Sequence, residues 1–145
     1  MSTTTDLLDV NVWVALAFPG HDERPRALDY WNQKRGERIA FCSPTMMGMT
    51  RLLTNPAVMK GRPYSASAAL AKYRDFSTLP EADFLHHSSS VERWLAAWLA
   101  LPFFTGKLWT DAWIAALAME NGCRVVSFDS DFSKFPGLDF LHLAP

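Results

Sequence analysis

One stretch of the sequence, residues 108–132, places a helix, a turn, a buried strand and a run of acids in close succession. Thr110 suits the N-cap of that helix, and Asp111 follows in its first turn. Apolar residues then recur at helical spacing until Asn121-Gly122 supplies a left-handed stop. A short β-rich run comes next and ends on Asp129. A helix that leads directly into a buried strand is typical of α/β proteins, so this stretch restricts the fold class.

The rest of the chain repeats this alternation. Short β-rich segments are predicted at 6–10, 38–42, 84–85 and 138–143, and helices at 13–18, 23–35, 43–54, 65–76 and 88–101. Strands that alternate with helices predict an α/β fold with a mainly parallel central sheet. A length of 145 residues, of which 49% are hydrophobic, predicts one domain over 1–145 with a single core.

The composition excludes several classes of protein. A formal charge of −1 argues against a broad, histone-like attraction to nucleic acid, although a local basic face is compatible with it. The chain has no apolar run of about 20 residues, as a membrane span needs, and no signal-peptide pattern at its start. Cys42 and Cys123 lie in apolar surroundings without ligand spacing. We therefore expect a soluble cytoplasmic protein with two buried thiols.

Three carboxylates that are distant in sequence are predicted to converge. Asp9 and Asp129 each end a predicted strand, and the carboxyl ends of parallel strands form one edge of the sheet, where ligands bind. Right-handed crossovers bring the start of the helix before the fourth strand to that same edge, so Asp111 belongs there too. Like charges at short range repel and call for a cation, and carboxylate oxygens select Mg²⁺ or Mn²⁺.

Each acid also has a structural explanation when it is taken alone. Asp111 suits the positive end of a helix dipole. Asp129 and Asp131 are common turn formers, and Asp131 is expected at the rim of the acid cluster. Asn11 either caps a helix or orients a carboxylate or a water molecule. The predicted convergence, rather than any single acid, indicates a site.

Four segments together resemble the PIN-domain ribonucleases, in particular the toxins of VapBC toxin–antitoxin pairs. They are LLDVNVWVALAFPGH at 7–21, SPTMMGMTRLLTNP at 43–56, TGKLWTDAWIAALAMENGCRVVSFDSDF at 105–132 and FLHLAP at 140–145. The resemblance implies a three-layer α/β/α fold whose acidic cluster binds Mg²⁺ or Mn²⁺ and cleaves single-stranded RNA. By that resemblance Asp9, Asp111 and Asp129 are the catalytic, metal-binding acids, and Asp131 matches a position that is often acidic or polar.

The resemblance also implies partners. Relatives are typically homodimers bound by the C-terminal segment of a small antitoxin protein, and their substrate is RNA. The apolar residues on several predicted helices exceed what one small sheet obviously needs, which agrees with such assembly. The expected function is therefore that of an endoribonuclease toxin that hydrolyses phosphodiester bonds.

One departure from the family pattern leaves alternatives open. Many relatives read T-E-x-G-x-x-R where this chain has residues 45–51, so Met46 occupies the position of a fourth acid, and a thioether is no ligand for Mg²⁺. If that alignment holds, Met46 faces the cluster. A binding module that holds an antitoxin or RNA without turnover is one alternative. A phosphotransfer domain with Asp9 as nucleophile is another, although the D-x-D start of such sites is missing.

Several basic residues are candidates for contacts with RNA. Arg51, near a helix end, suits either an RNA phosphate or the helix dipole. His21 suits a general base, a phosphate contact or the start of the second helix. Lys60, Arg62 and Lys107 are loop cations that either line an RNA path or are simply solvated.

Overall fold

The computed structural model describes residues 3–145 of the chain. The strands are β1 (Thr5–Leu8), β2 (Arg38–Cys42), β3 (Ala82–Leu85), β4 (Arg124–Ser127) and β5 (Phe140–His142). The helices are α1 (Val10–Ala17), α2 (Arg24–Gln33), α3 (Ser43–Leu53), α4 (Ala66–Ser77), α5 (Glu92–Trp98) and α6 (Trp109–Asn121). Short 3₁₀ turns lie at Ser89–Val91, Gly106–Leu108 and Ser130–Lys134.

The strands form one sheet in the order β3-β2-β1-β4-β5, and every neighbouring pair is parallel. This confirms the predicted parallel sheet. β1 lies at its centre, between β2 and β4, so the residues that follow β1 and β4 emerge side by side at one edge. The order of the strands reverses between these two, which is where open parallel sheets bind ligands.

Two helical layers cover the sheet, one on each face. Side chains alternate between the faces of a strand, and adjacent residues of β1 therefore enter different cores. Leu7 packs with α5 and α6, whereas Leu8 packs with α1, α2, α3 and α4. In β4, Val125 and Val126 divide in the same way. The three-layer α/β/α architecture is thus confirmed, and both thiols are buried and unbridged, as expected.

Three predicted helix starts, those of α1, α5 and α6, differ from the structure by more than one residue. α1 begins at Val10, not Trp13, because the Asp9 side chain caps it by accepting the Val10 N–H. The suggestion that Asn11 caps this helix is therefore wrong, since Asn11 lies inside α1. α6 begins at Trp109 after a 3₁₀ turn, so Thr110 is its second residue and not its cap.

The fifth helix also begins later than the serine run at 88–90 suggests, because that run forms the 3₁₀ turn before α5. The end of α6 agrees with the sequence. Asn121 is its last residue, and Gly122 follows in the left-handed region with φ 63°. Within residues 3–145, no helix has both the length and the apolar character that crossing a membrane requires.

Candidate active site

The predicted acids meet at the carboxyl edge of the sheet. Asp9 directly follows β1, and Asp129 follows β4 after one intervening residue. Asp111 lies in the first turn of α6, which begins at the same edge before running back towards β4. The convergence inferred from parallel connectivity is therefore present in the structure.

The tightest group consists of Asp111, Asp129 and Asp131. One carboxylate oxygen from each of these residues lies within 4.8 Å of the others. Asp131 thus belongs to the group itself and not only to its rim, because Asp129 Oδ1 accepts the Asp131 N–H at 2.9 Å and so draws the turn inward. Asp131 also forms a half-exposed salt bridge with Lys134 at 2.9 Å.

Asp9 stands beside this group and is held from two directions. Its Oδ1 accepts the Val10 N–H at 2.8 Å, and its Oδ2 accepts the Ser127 Oγ–H at 2.8 Å. The residue is 9% exposed, so the carboxylate is fixed in a largely desolvated position. Two well-formed hydrogen bonds leave it little freedom to turn away from its neighbours.

Ser127 is the residue that the sequence argument missed. Its fully buried hydroxyl donates to Asp9 and accepts the Asp129 N–H at 2.9 Å. Asn11 Nδ2 also donates to Ser127 Oγ, at 3.3 Å. The hydroxyl thereby joins the β1 end, the β4 end and α1. The sequence does contain a signal for this role, because Ser127 is a polar residue at the end of the apolar run of β4.

Two of the acids, Asp111 and Asp9, have raised pKa values, and burial is the main cause in both. Burial raises the pKa of Asp111 to about 7, and the charges of Asp9, Asp129 and Asp131 add to this effect. Burial also raises the pKa of Asp9, partly offset by its hydrogen bonds with Ser127 and Val10. Near neutral pH the metal-free cluster therefore retains a proton that a bound cation would displace.

The donor set fits a hard divalent cation. Across residues 3–145, Asp9, Asp111 and Asp129 form no salt bridge with any Lys, Arg or His. Their oxygens are the ligands that Mg²⁺ and Mn²⁺ prefer, and no sulfur or imidazole belongs to the group. A cation in the cluster would relieve the repulsion that adds to the effect of burial on the pKa of Asp111.

The basic candidates lie outside the acid group. Arg51 is exposed in the last turn of α3 and lines a groove beside the cluster. His21 Nδ1 accepts the Glu23 N–H at 3.0 Å, which ties this ring to the start of α2. Lys60 is paired with Asp22 at 2.7 Å. Arg62 is an exposed loop residue, and Lys107, predicted in a loop, is exposed in the 3₁₀ turn Gly106–Leu108.

One contact of α3 bears on the expectation that Met46 faces the acids. Residues two positions apart lie about 200° apart around an α-helix. Gly48 faces the start of α1, because a Cβ at this position would lie 2.7 Å from Val10 Cγ2. A side chain at Met46 is therefore directed away from the start of α1. Pro44, four residues before Gly48, shares its face of α3.

Comparison with known proteins agrees with this geometry. The PIN domain family matches residues 7–138. Ribonuclease VapC41 of Mycobacterium tuberculosis is 31% identical over 146 aligned residues, which cover 95% of this chain and 98% of that protein. Ribonuclease VapC37 of the same species is 30% identical over 102 residues, 70% of each chain.

This chain belongs to the PIN-domain family, among the VapC ribonucleases. Solved VapC structures share the fold of this PIN domain at lower identity. The crystal structure of Mycobacterium tuberculosis VapC20, a toxin that cleaves the sarcin–ricin loop, aligns with a TM-score of 0.72 at 20% identity over 97% of this chain and 99% of that one. DNA-bound VapBC from Salmonella typhimurium aligns with a TM-score of 0.65 at 18% identity, over 97% and 99%.

Proposed function

We propose that this PIN domain is a metal-dependent endoribonuclease toxin whose acid cluster hydrolyses phosphodiester bonds in RNA. The observation that carries the proposal is the group of carboxylate oxygens from Asp111, Asp129 and Asp131, which lie within 4.8 Å of one another beside the buried Asp9. Among residues 3–145, Asp9, Asp111 and Asp129 have no cationic partner. Such a cluster costs free energy in the empty protein, and divalent metal binding offsets that cost.

Asp9, Asp111 and Asp129 are the residues that we assign to the metal and to catalysis, with Asp131 as an additional ligand. Bound Mg²⁺ or Mn²⁺ would activate water and neutralise the developing charge on phosphorus. Ser127 and the Val10 N–H hold the Asp9 carboxylate in one orientation throughout. Asn11 supports this arrangement through its hydrogen bond with Ser127. The water oxygen bonds to phosphorus as the bond from phosphorus to the leaving ribose oxygen breaks. The attacking water gives up one proton and the ribose oxygen takes up one, both by exchange with solvent.

Asp111 is the residue of the site that binds and releases a proton near neutral pH. Burial and the neighbouring acids raise its pKa to about 7 in the metal-free protein. The carboxyl is therefore partly protonated at neutral pH. The proton must leave before the carboxylate can serve as a ligand. The cluster is therefore poised to exchange a proton for a metal ion in the physiological range of pH.

We further propose that a small antitoxin protein holds this chain inactive in the cytoplasm, in keeping with the VapBC complexes that share its fold. We also propose a homodimer. Leu99 directly follows α5 and Trp109 is the first residue of α6, and they are 49% and 43% exposed, which leaves apolar surface at both ends of the α5–α6 connection. Exposed apolar groups of this size are typical of protein interfaces.

The experiment is metal-dependent cleavage of a panel of structured and unstructured RNAs by the purified protein, free of antitoxin. We expect cleavage with Mn²⁺ or Mg²⁺ and none after EDTA treatment. Asp111→Asn should abolish cleavage, while Asp75→Asn, an exposed change on α4, should not. A folded protein that binds an antitoxin but cleaves no RNA under any metal would favour the binding module without turnover.

A further inference from the structure

A groove opens between α3 and α6 directly beside the acid cluster. We call it the α3–α6 groove. Its volume is about 720 Å³, and its walls include Pro44, Met47, Arg51, His87, Thr110 and Trp113. A volume of this order suits a small planar ligand with room for its substituents.

The groove is continuous with the candidate active site. Thr110 lines it, and the next residue, Asp111, contributes an oxygen to the acid group. α3 enters from the same edge, because Ser43 directly follows β2. The groove and the acid group are therefore neighbours at one edge of the sheet.

The groove has the aromatic character that nucleobases recognise. The rings of His87 and Trp113 meet edge to face, with centroids 5.8 Å apart. His87 Nε2 lies 3.3 Å from the Trp113 carbonyl oxygen, which fixes the imidazole against α6. Across the groove Met47 is 58% exposed, a large apolar side chain left in water. Bases stack on such surfaces without regard to their hydrogen-bonding edges.

The charge on the groove favours a phosphate. Arg51 is exposed and forms no salt bridge with any acid in the described chain, 3–145. No Asp or Glu lines the groove itself. A guanidinium in this position can bind a phosphate through two parallel hydrogen bonds.

We propose that the α3–α6 groove binds the nucleobase of a nucleotide next to the scissile phosphate, and that Arg51 binds a backbone phosphate of the same RNA. The inference rests on the proposed ribonuclease activity and names a base-binding subsite for it. A nucleotide supplies both a flat apolar group and an anion. A purely apolar protein surface would cover Met47 and Trp113 but leave Arg51 without a counter-charge.

The test uses ¹³C-methyl NMR of methionine on the metal-free protein in EDTA, titrated with the four 5′-nucleoside monophosphates. The Met47 signal is assigned from its loss in Met47→Leu. We expect a saturable shift of that signal with the nucleotides and none with ribose 5-phosphate, which lacks the base. Removing the stacking surface with Trp113→Leu should weaken nucleotide binding about tenfold.

Arg51→Gln should weaken nucleotide binding several-fold while leaving the affinity for the uncharged nucleosides unchanged. Arg62→Gln, which removes another exposed cation outside the groove, is the matched control and should alter neither. Should Trp113→Leu not fold, His87→Leu removes the facing ring instead, with the same expected loss.

Three results would overturn the inference. One is a Met47 signal that no nucleotide shifts, and another is an equal response to ribose 5-phosphate. The third is a Met47 signal that responds to protein dilution but not to nucleotides, which would make the groove an interface between copies of this chain. RNA cleavage is measured in a separate assay, with Asp9→Asn as the inactive control. Cleavage by a protein whose groove binds no nucleotide would reject only the base-binding subsite. Nucleotide binding by a protein that cleaves no RNA would reject only the nuclease activity.

Discussion

Asp6 and Asp9 lie three residues apart on or just after β1, yet their surroundings differ in kind. Both oxygens of the fully buried Asp6 accept hydrogen bonds from the Arg124 guanidinium, each at 2.9 Å, and the Tyr30 hydroxyl also donates to this carboxylate. The charge of Asp6 is thus compensated within the fold. Asp9 has hydrogen bonds but no cation, which is why we assign it to the metal and Asp6 to stability.

At the scale of single residues, we predict that Asp9→Asn, Asp111→Asn and Asp129→Asn each lower the rate of RNA cleavage by about a hundredfold or more, because each removes a metal ligand and little volume. The rate is measured on a fluorescent RNA at saturating Mn²⁺. Circular dichroism should show that each variant folds.

The matched control is Asp75→Asn, which removes a carboxylate from the exposed face of α4 and should leave the rate unchanged. A folded Asp9→Asn protein that cleaves at the wild-type rate would show that the metal site lies elsewhere.

The position of the fourth acid can be tested in the same way. Met46→Glu should leave Mn²⁺ affinity essentially unchanged, because residue 46 is directed away from the start of α1. Pro44→Glu, on the face that carries Gly48, should raise that affinity by about tenfold through an added carboxylate near the ion. Isothermal titration calorimetry on the two variants measures the difference. A higher affinity for Met46→Glu than for Pro44→Glu would restore the alignment that the sequence suggests.

Among the elements, α1 and α3 are in close contact at Val10, the residue after Asp9. Gly48 lets α3 approach the first residue of α1, and the missing side chain matters because a Cβ there would lie 2.7 Å and 3.2 Å from the two methyl carbons of Val10. Val10 has a stiff side chain and follows Asp9 directly. A side chain at position 48 that displaced Val10 would therefore also shift the Asp9 carboxylate and its hydrogen bond with Ser127.

We predict that Gly48→Ala destabilises the protein by ~1–2 kcal/mol, because overpacking outweighs the higher helix propensity of alanine. In a Val10→Ala background, where the clash is removed, the same substitution should be neutral or stabilising. Urea unfolding of the four proteins of this cycle measures the change of sign. A Gly48→Ala protein as stable as the parent would mean that α1 and α3 move apart at no cost.

At the scale of the whole molecule, the acid cluster couples stability to pH. The pKa of Asp111 is raised by burial to about 7 in the folded, metal-free protein, above its ordinary value of 3.8. Between these two values the folded state binds the proton that the unfolded state has released, so the free energy of unfolding falls as pH rises. The raised pKa of Asp9, also caused mainly by burial, acts in the same direction.

We therefore predict that the melting temperature of the EDTA-treated protein falls between pH 5.5 and pH 7.5. The fall should be smaller than the pKa shift of Asp111 alone implies, because Asp111 is partly exposed and solvent screens its charge. Mn²⁺ should raise the melting temperature more at pH 7.5, because deprotonated carboxylates bind it more tightly. Differential scanning fluorimetry measures both effects. Asp111→Asn should flatten the pH dependence, and an unaltered slope in that variant would assign the proton to another group.

Assembly is also a property of the whole molecule. We predict that Leu99→Glu and Trp109→Glu each shift the protein towards a monomer, because a charge placed in an apolar interface must be desolvated. Leu70→Glu on α4, where the leucine is 41% exposed, is the matched control and should not change assembly. Sedimentation velocity at micromolar concentration distinguishes the species. A parent protein that sediments only as a monomer would contradict the dimer.

The alternation of strands and helices, the parallel sheet and the convergence of Asp9, Asp111 and Asp129 follow from the amino-acid sequence, because local patterns and chain topology set the strand ends and the crossover direction. The contacts between the side chains at that edge depend on the folded chain. Ser127 joins two strands and a helix, and Asp131 enters the group through the turn that Asp129 caps. The direction of Met46 likewise depends on which face of α3 contacts Val10. These features depend on packing between segments that are far apart in sequence. The hydrophobic periodicity of one segment does not indicate which other segment packs against it.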